Sequence, residues 1–518
     1  MHSIVHRVLT CVMLCFLVAL PALGQLDTGT ITGRVVDPTG AVVVGAQVTV
    51  THTGTNFENV TQTNSEGLYR VQALRPGPYR VTVQAAGFKT QVREGFELRV
   101  NDTLAVDLVL EVGSTSESIL VTDTLPLLQT ETSTAGQVLE GQVFYSLPIF
   151  QRQLRTVLYF LPGMTQGNTA WPGQLNAFHI NGLAGTQIGF FEDGVLATNM
   201  YDGNAVNTVM AGVEEANVLT SALPAEYGHT PGGAITIVKK TGTNELHFLA
   251  QEMILTRRMF PRGFFELETL TTPRPGYPNG LPYLYQTPDG IISGPVWIPK
   301  LYNGKNKTFF TFSFQIPFSN ESKYGQYSVP TPEMLEGDVS LNGRGQPIFD
   351  PMTTRQDADG NWLRDPIPNN IVPKSRWSNV AKAIIAHDPW TPPNKEGDVS
   401  PSTVANNIQG NQALKLWWPS YSFRVDHQFT PNVKAYITMT WNNFYVKNAN
   451  AAIDYAPYDW NKVFTPQIQY TPSIGLSWVI SPTLISETRI GMYRQTRNTQ
   501  SPYQQAITDT LVNEAKVP

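Results

Sequence analysis

The sequence predicts a mainly β protein in three parts: a small β-sandwich, a compact α/β unit, and an incomplete transmembrane antiparallel β-barrel. Three observations carry this. Short runs of alternating apolar and polar residues, broken by Gly, Pro, Asn and Asp, recur along most of the chain. Charged residues make up only 15% of the 518, against roughly 25% in soluble domains, while aromatics reach 10% and mean hydropathy is −0.18. Past the first two dozen residues no unbroken apolar run approaches the ~20 residues a membrane helix needs. A bilayer crossing therefore falls to strands, whose alternation hides their hydrophobicity from averages.

Residues 1–24 read as an export signal. His2, His6 and Arg7 give a weakly basic start, Val8 to Leu20 is apolar apart from Thr10 and two cysteines, and Ala22-Leu23-Gly24 is a small-x-small cleavage pattern. So short a run fits a removed leader better than a membrane span or a buried core helix. Cys11 and Cys15 are the only cysteines, so the mature chain holds no disulfide, thiol nucleophile or cysteine metal site. A net charge of −5 supplies no basic footprint, which argues against nucleic acid as a partner.

Residues 25–112 read as the sandwich. Ile31, Gly33 and Val35 alternate with polar neighbours up to a turn at Asp37-Pro38-Thr39-Gly40. Val48 and Val50, then Tyr79, Val81 and Val83, then Leu104, Val106, Leu108 and Leu110 each mark one apolar strand face. Gly33-Arg34-Val35-Val36-Asp37, Gly45-Ala46-Gln47-Val48, Ser65-Glu66-Gly67-Leu68-Tyr69, Gly77-Pro78-Tyr79-Arg80-Val81 and Gly87-Phe88 together resemble a carboxypeptidase regulatory-like domain. The resemblance implies a transthyretin- or immunoglobulin-like sandwich with no catalysis of its own. A zinc peptidase needs a His/Glu ligand set and a base, and no H-E-x-x-H occurs. His52 reads as a solvated strand-end residue.

Residues 113–135 read as a linker, small and polar at both ends around the apolar run Ile119-Leu120-Val121. Such a run can add as a strand to a partner's sheet edge, or can pack as one more strand of the preceding sandwich.

Residues 136–242 read as the α/β unit. Leu154, Val157, Leu158 and Leu161 are spaced for a helix, which Pro162-Gly163 ends. Phe178-His179-Ile180, Phe190-Phe191-Glu192, Val213 to Val218 and Ala234 to Val238 read as strands; Gly182, Gly194 and Gly203 suit turns needing positive φ. Glu192 and Asp193 are adjacent, so in a strand they point to opposite faces, and structural carboxylates are the expectation rather than an acid/base pair. Leu147-Pro148, Leu161-Pro162-Gly163, Ile180-Asn181-Gly182, Asp193-Gly194-Val195, Glu214-Glu215-Ala216-Asn217-Val218, Ala225-Glu226-Tyr227-Gly228, Gly232-Gly233 and Thr241-Gly242-Thr243-Asn244, in this order, resemble the plug domain of TonB-dependent outer-membrane receptors of the Oar-like type. That family favours Thr-Lys-Ser-Gly-Thr-Asn where this chain has Lys239-Lys240-Thr241-Gly242-Thr243-Asn244.

Residues 243–518 read as the N-terminal part of an outer-membrane barrel. Phe310, Phe312 and Phe314; Tyr421, Phe423 and Val425; Ala435, Ile437, Met439 and Trp441; and Ile474, Leu476, Trp478 and Ile480 form outward stripes, with polar residues between them. Arg424 and Asp426 then line the lumen, since charge facing lipid is costly. Turns are tight at Thr430-Pro431-Asn432 and Ser481-Pro482-Thr483, whereas residues 325–415 carry eleven prolines and little strand pattern, as an extracellular loop. A soluble sandwich shares the alternation but not so long a loop. His387, Asp388 and Asp350 show no metal-ligand spacing. The patterned strands are too few for a closed barrel, so a piece of a longer receptor is expected.

The resemblance implies energised uptake. An unidentified extracellular ligand, with carbohydrate compatible with the Thr, Asn and Tyr of the loops, binds outer loops and plug, and the TonB energy-coupling complex pulls on an N-terminal segment. Glu117, Ser118, Ile119, Leu120 and Val121 are the candidate TonB contact. Outer-membrane lipid is the other partner, and no cofactor or enzyme activity is expected. The alternative is a non-transporting surface, adhesion or secretion-associated protein of the same type.

Overall fold

The computed structural model describes residues 28–115, 118–122, 135–147, 152–166, 178–198, 207–221, 223, 227–228, 230–256, 259, 283–341, 346–386, 392–400, 403–449, 467–481 and 484–497. The expected export segment, Gly203, Glu117, His387 and Asp388 lie outside them.

The sandwich forms from β1 (Gly29–Val36), β2 (Gln47–His52), β3 (Phe57–Gln62), β4 (Leu68–Leu74), β5 (Gly77–Gln84), β6 (Thr90–Leu98), β7 (Thr103–Ala105) and β8 (Leu108–Val109). One sheet is β4-β1-β7 with β8 extending along β1; the other runs β3-β2-β5-β6. The apolar stripes read from sequence meet between them: Ile31, Val35, Val48, Val50, Val81, Val83, Leu104, Val106 and Leu110 are all buried in one core. Gly33 is required, because a Cβ there would lie 2.0 Å from the Val106 carbonyl oxygen. The same carbonyl accepts the buried Tyr69 hydroxyl at 2.7 Å.

Part of the expected linker belongs to this sheet. β9 (Ser118–Thr122) pairs parallel with β6, Gln91 opposite Ile119 and Arg93 opposite Val121. An apolar run beside an open sheet edge satisfies its backbone groups there.

In the middle unit, β10 (Ala135–Glu140) is followed by α1 (Gly141–Ser146), α2 (Leu154–Leu158), β11 (Met164–Gln166), β12 (Phe178–Ile180), β13 (Leu183–Ala184), β14 (Ile188–Glu192), β15 (Val195–Leu196), β16 (Val213–Ser221) and β17 (Gly233–Lys239). The main sheet is ordered β10-β16-β17-β14-β15. Every residue of β14 and β17 is buried, so this unit is enclosed on both faces. Leu154, Val157, Leu158 and Leu161 pack on it, as their spacing predicts, although the helix is shorter than the pattern.

The third part is a 10-stranded antiparallel sheet. It holds β18 (His247–Thr256), β19 (Tyr283–Pro295), β22 (Thr308–Gln315), β23 (Phe318–Tyr327), β28 (Ile408–Trp417), β29 (Ser420–Thr430), β30 (Val433–Ala449), β31 (Gln467–Ser481), β32 (Leu484–Gly491) and β33 (Arg494–Arg497). Among the described residues, three two-stranded ribbons lie between these: β20 (Trp297–Ile298) with β21 (Tyr302–Asn303), β24 (Arg355–Gln356) with β25 (Trp362–Leu363), and β26 (Asp398–Ser400) with β27 (Thr403–Ala405). β22 and β23 both pair with β19, and β28 and β29 both pair with β30, so each couple is one long strand interrupted near Pro317 or Pro419. Consecutive strands are neighbours throughout, an up-and-down meander.

Burial in this sheet is inverted relative to a soluble one. Thr311, Ser313, Gln315, Ser422, Arg424, Asp426, Thr438, Thr440 and Asn442 are buried, whereas Phe423, Ile437, Met439, Trp441, Ile474 and Trp478 are exposed. An apolar outer face of this extent over a polar inner face needs lipid as its solvent. Among the described residues no helix is long and apolar enough to cross a membrane.

The 325–415 loop is shorter than its composition suggests, because β23 and β28 run into it from both ends and pair Phe318 to Tyr327 with Trp417 to Ile408. Their sequences lack clean alternation, which is why they read as loop.

Candidate functional site

The middle unit meets the inner face of the barrel sheet through buried charge. β14 ends at Glu192, and Asp193 turns the chain with φ +48° before Gly194 at φ +76°. That left-handed turn corrects the expectation of opposite faces: both carboxylates reach the Lys239 ammonium, Glu192 at 3.1 Å and Asp193 at 3.7 Å. The Lys239 backbone N–H also donates to Asp193 at 3.0 Å, and its ammonium to Thr438 on β30 at 2.9 Å. Glu192 accepts from Thr208 within the unit and from Thr471 on β31, both at 2.9 Å.

Barrel residues continue the chain of charge. Arg424 lies 3.0 Å from Asp193 and 2.8 Å from Asp426, with its guanidinium 4.1 Å from the Tyr436 ring centroid. The Tyr436 hydroxyl donates to the Asp193 carbonyl at 3.0 Å. Arg75 of the sandwich then reaches Asp426 at 2.5 Å. Arg424 and Asp426 therefore face inward, as the cost of charge in lipid requires. Elsewhere on the same wall Arg152 approaches Asp289 at 3.3 Å, and Asn207 exchanges hydrogen bonds with Asn442 at 2.8 and 2.9 Å.

The sandwich sits at the end of the barrel sheet that carries the short turns. Asn56 donates to Asn306 at 3.0 Å, Lys434 to Asn59 at 2.9 Å, and Phe57 lies 5.4 Å from Phe309. Its other contact is to the middle unit: the Val100 N–H donates to Glu215, and Arg99 pairs with Glu140. Burial pushes the Glu215 carboxyl up to about 8, against the pull of the Val100 N–H. His52 is half-buried rather than solvated. It packs edge-on against Tyr79 at 5.1 Å, and burial, with Arg75 and Lys434 nearby, pushes its pKa down to about 4.

A cleft of about 70 Å³ remains between sandwich and barrel wall, lined among others by His52, Arg75, Lys434 and Tyr436. Among the described residues no group of three or more His, Cys, Asp and Glu is placed to hold a metal.

Of the predicted partner segment, Ser118, Ile119, Leu120 and Val121 form most of the edge strand β9, with Leu120 and Val121 exposed. It lies apart from the buried charges. Sequence reasoning named Arg424, Asp426, Glu192 and Asp193 individually but missed Lys239 and Arg75. The one available signal was Lys239, a lysine where the resembling pattern favours threonine.

At the opposite end, the 328–407 loop is braced rather than loose. Arg376 binds Asp350 through two hydrogen bonds of 2.6 Å, Arg355 pairs with Asp365 at 2.8 Å, and the Asp350 carboxylate caps a short helical turn through Met352. Arg376 holds the Asp350 carboxyl below its usual range.

Comparison with known proteins agrees with this architecture. Residues 30–111 match the carboxypeptidase regulatory-like domain. The TonB-dependent transporter Oar of Myxococcus xanthus is 26% identical over 233 residues, 43% of this chain and 21% of that protein. The outer-membrane transporter YddB of Escherichia coli (10% identity, TM-score 0.44) covers 71% of this chain and is itself covered to 40%. The siderophore receptor PiuA of Acinetobacter baumannii (12% identity, TM-score 0.33) covers 74% and is covered to 50%. The chain thus spans half or less of each of these relatives. Residues 238–516 match the outer membrane beta-barrel domain, more than half of the chain, and with the lipid-facing stripes and polar inner wall this establishes the protein as an outer-membrane member of that β-barrel family.

Proposed function

We propose that this protein acts in TonB-dependent, energised uptake across the outer membrane, with the middle unit as the plug. The observation that supports it most is the seating of that unit on the polar inner wall by ion pairs, Lys239 with Glu192 and Asp193, and Asp193 with Arg424. A unit held mainly by charge pairs and hydrogen bonds, with a small apolar contact of Val209 and Ala211 on Ile291, can change its seating while exposing little oily surface to water. Similarity to proteins named as transporters or receptors supports the same reading. The role is binding and passage, not catalysis.

Ser118 to Val121, with Glu117 before them, are proposed as the TonB contact. As an exposed edge strand held by one neighbour, β9 can be exchanged for pairing with a partner strand. The ligand is proposed to be a polar solute such as an oligosaccharide. Uptake of a panel of labelled oligosaccharides by cells carrying the full-length protein should stop on adding a protonophore and on deleting residues 117–121. Uptake that survives the deletion rules out the assignment of β9.

One observation favours a surface-binding role. The braced loop presents Met352 at 84% and Trp362 at 70% exposure on a scaffold of ion pairs. Binding of polymer or cells that persists without proton motive force would support that role instead.

A further inference from the structure

The cleft between sandwich and barrel wall is lined by more positive than negative side chains: Arg75, Lys434 and Arg489 against Asp426 and Glu487. His52, whose pKa of about 4 leaves its ring neutral at ordinary pH, lines it too, as does His427, whose Nδ1 lies 2.6 Å from the Thr308 hydroxyl. Both carboxylates are engaged. Asp426 lies 2.5 Å from Arg75 and 2.8 Å from Arg424, and Glu487 lies 3.6 Å from Arg489. Lys434 differs from the other two cations. Its ammonium donates to the neutral Asn59 side chain at 2.9 Å and lies 5.7 Å from the Phe57 ring centroid, and no carboxylate of the described residues pairs with it. The charge that bears on it is Arg75, a second cation. A half-buried cation beside another cation is stabilised by an anion, the more so where packing has thinned the water.

Much of the remaining lining is apolar. Phe57 and Tyr79 come from the sandwich, Phe309 and Leu476 from the barrel. Phe57 and Phe309 lie 5.4 Å apart, so an apolar wall begins beside the ammonium. The cleft, about 70 Å³, has room for about five waters, which limits a ligand to a handful of heavy atoms. We propose that this cleft binds a small organic carboxylate, its charged end on Lys434 and its short apolar body against Phe57 and Phe309. Inorganic phosphate meets the charge but not the apolar wall, where its hydration is lost without return. Because sandwich and barrel share the cleft, the ligand also ties one to the other. The site is separate from the uptake reading: neither the ion pairs of the middle unit nor an energy source takes part.

Binding of labelled butyrate to the purified full-length protein in detergent micelles tests this. Butyrate should bind roughly tenfold or more tightly than neutral butyramide, the gain of a charge-assisted contact. Affinity should rise about fourfold per methylene from acetate to butyrate, and inorganic phosphate should compete poorly. Lys434→Met should reduce butyrate to the level of butyramide, whereas Lys434→Arg should keep it close to the parent. Asn59→Asp places a carboxylate where Lys434 already donates, and should weaken butyrate about tenfold with little change in side-chain volume. Butyrate no tighter than butyramide overturns the proposal, as does phosphate competing as well as butyrate. Unchanged butyrate binding in Lys434→Met also overturns it. Should that variant fail to fold, Asn59→Asp decides, and unchanged binding there overturns the proposal equally.

Discussion

Two regions of this molecule use the same ion-pair chemistry to different ends. Between middle unit and barrel wall, Asp193 and Arg424 are at 0% and 1% exposure; in the long loop between β23 and β28, Arg355 and Asp365 are at 53% and 54%. In the first, both charges have left water, so each depends on its partner for its solvation and loss of either strands the other. In the second, water solvates either charge when the pair opens, and salt screens what attraction is left. The loop pairs therefore shape a turn-rich segment, whereas the buried pairs decide whether two bodies stay together.

Breaking the buried side should produce the largest effect. Asp193→Asn removes one charge from between Lys239 and Arg424 and should destabilise the seated protein by about 3–5 kcal/mol, read as a lowered guanidinium midpoint by tryptophan fluorescence. A shift no larger than that of a loop variant would erase the contrast.

Next in size, the outer face of the same wall can be charged without touching any pair. Ile437 is 47% exposed and neighbours the inward Thr438. Ile437→Arg should cost about 2–4 kcal/mol at bilayer mid-depth, measured by folding equilibria in lipid vesicles. A neutral result would mean that this face does not meet lipid.

The Glu215 seam sharpens the comparison, because there a buried carboxyl is held by a backbone N–H. Its docked pKa of about 8 lies above the ordinary 4.5, so the docked state holds the proton more tightly. Its contribution is complete below pH 4.5 and is lost as pH rises through 8. Hydrogen exchange at Val100 should accordingly quicken between those limits, and Glu215→Gln should flatten the profile.

Smallest of all should be Arg376→Ala, which frees the half-buried Asp350 at the protein surface. No resolvable change in midpoint is expected. Asp350 should titrate closer to its ordinary range, since Arg376 is what holds it low, a shift that NMR of the carboxyl carbon can follow. Acidification removes the stability this pair contributes, which is present above the ordinary carboxylate range and lost as pH falls through the folded value.

Much of the architecture was legible without coordinates. Stripes such as Ile437, Met439 and Trp441 predicted an outward face, and they are exposed. Asp37-Pro38-Thr39-Gly40 predicted a turn, and Gly40 sits at φ +85° while the Thr39 and Ala41 N–H groups donate to the Asp37 carboxylate. Less legible were β23 and β28, whose pairing rather than their alternation makes them strands, and β9, where one apolar run was compatible with a partner's sheet edge as well as with the local sandwich. Of the candidate site, inward placement of Arg424 and Asp426 was readable, but their partners were not.

Sequence alone determined what depends on near neighbours: the faces of the patterned strands, turn positions, the absence of cysteine after Cys15, and the inward side of Arg424 and Asp426. These follow from a period of two and from backbone conformations that only some residues adopt. Tertiary structure decided which charges meet. Arg75 and Asp426 are 351 positions apart, and Tyr436 and Asp193 are 243 apart. Their attraction becomes strong only after packing has removed the water between them, a condition no local pattern encodes. The convergence of Glu192 and Asp193 on Lys239 likewise needed a left-handed turn at one residue, φ +48°, to reverse the facing that strand geometry assigns.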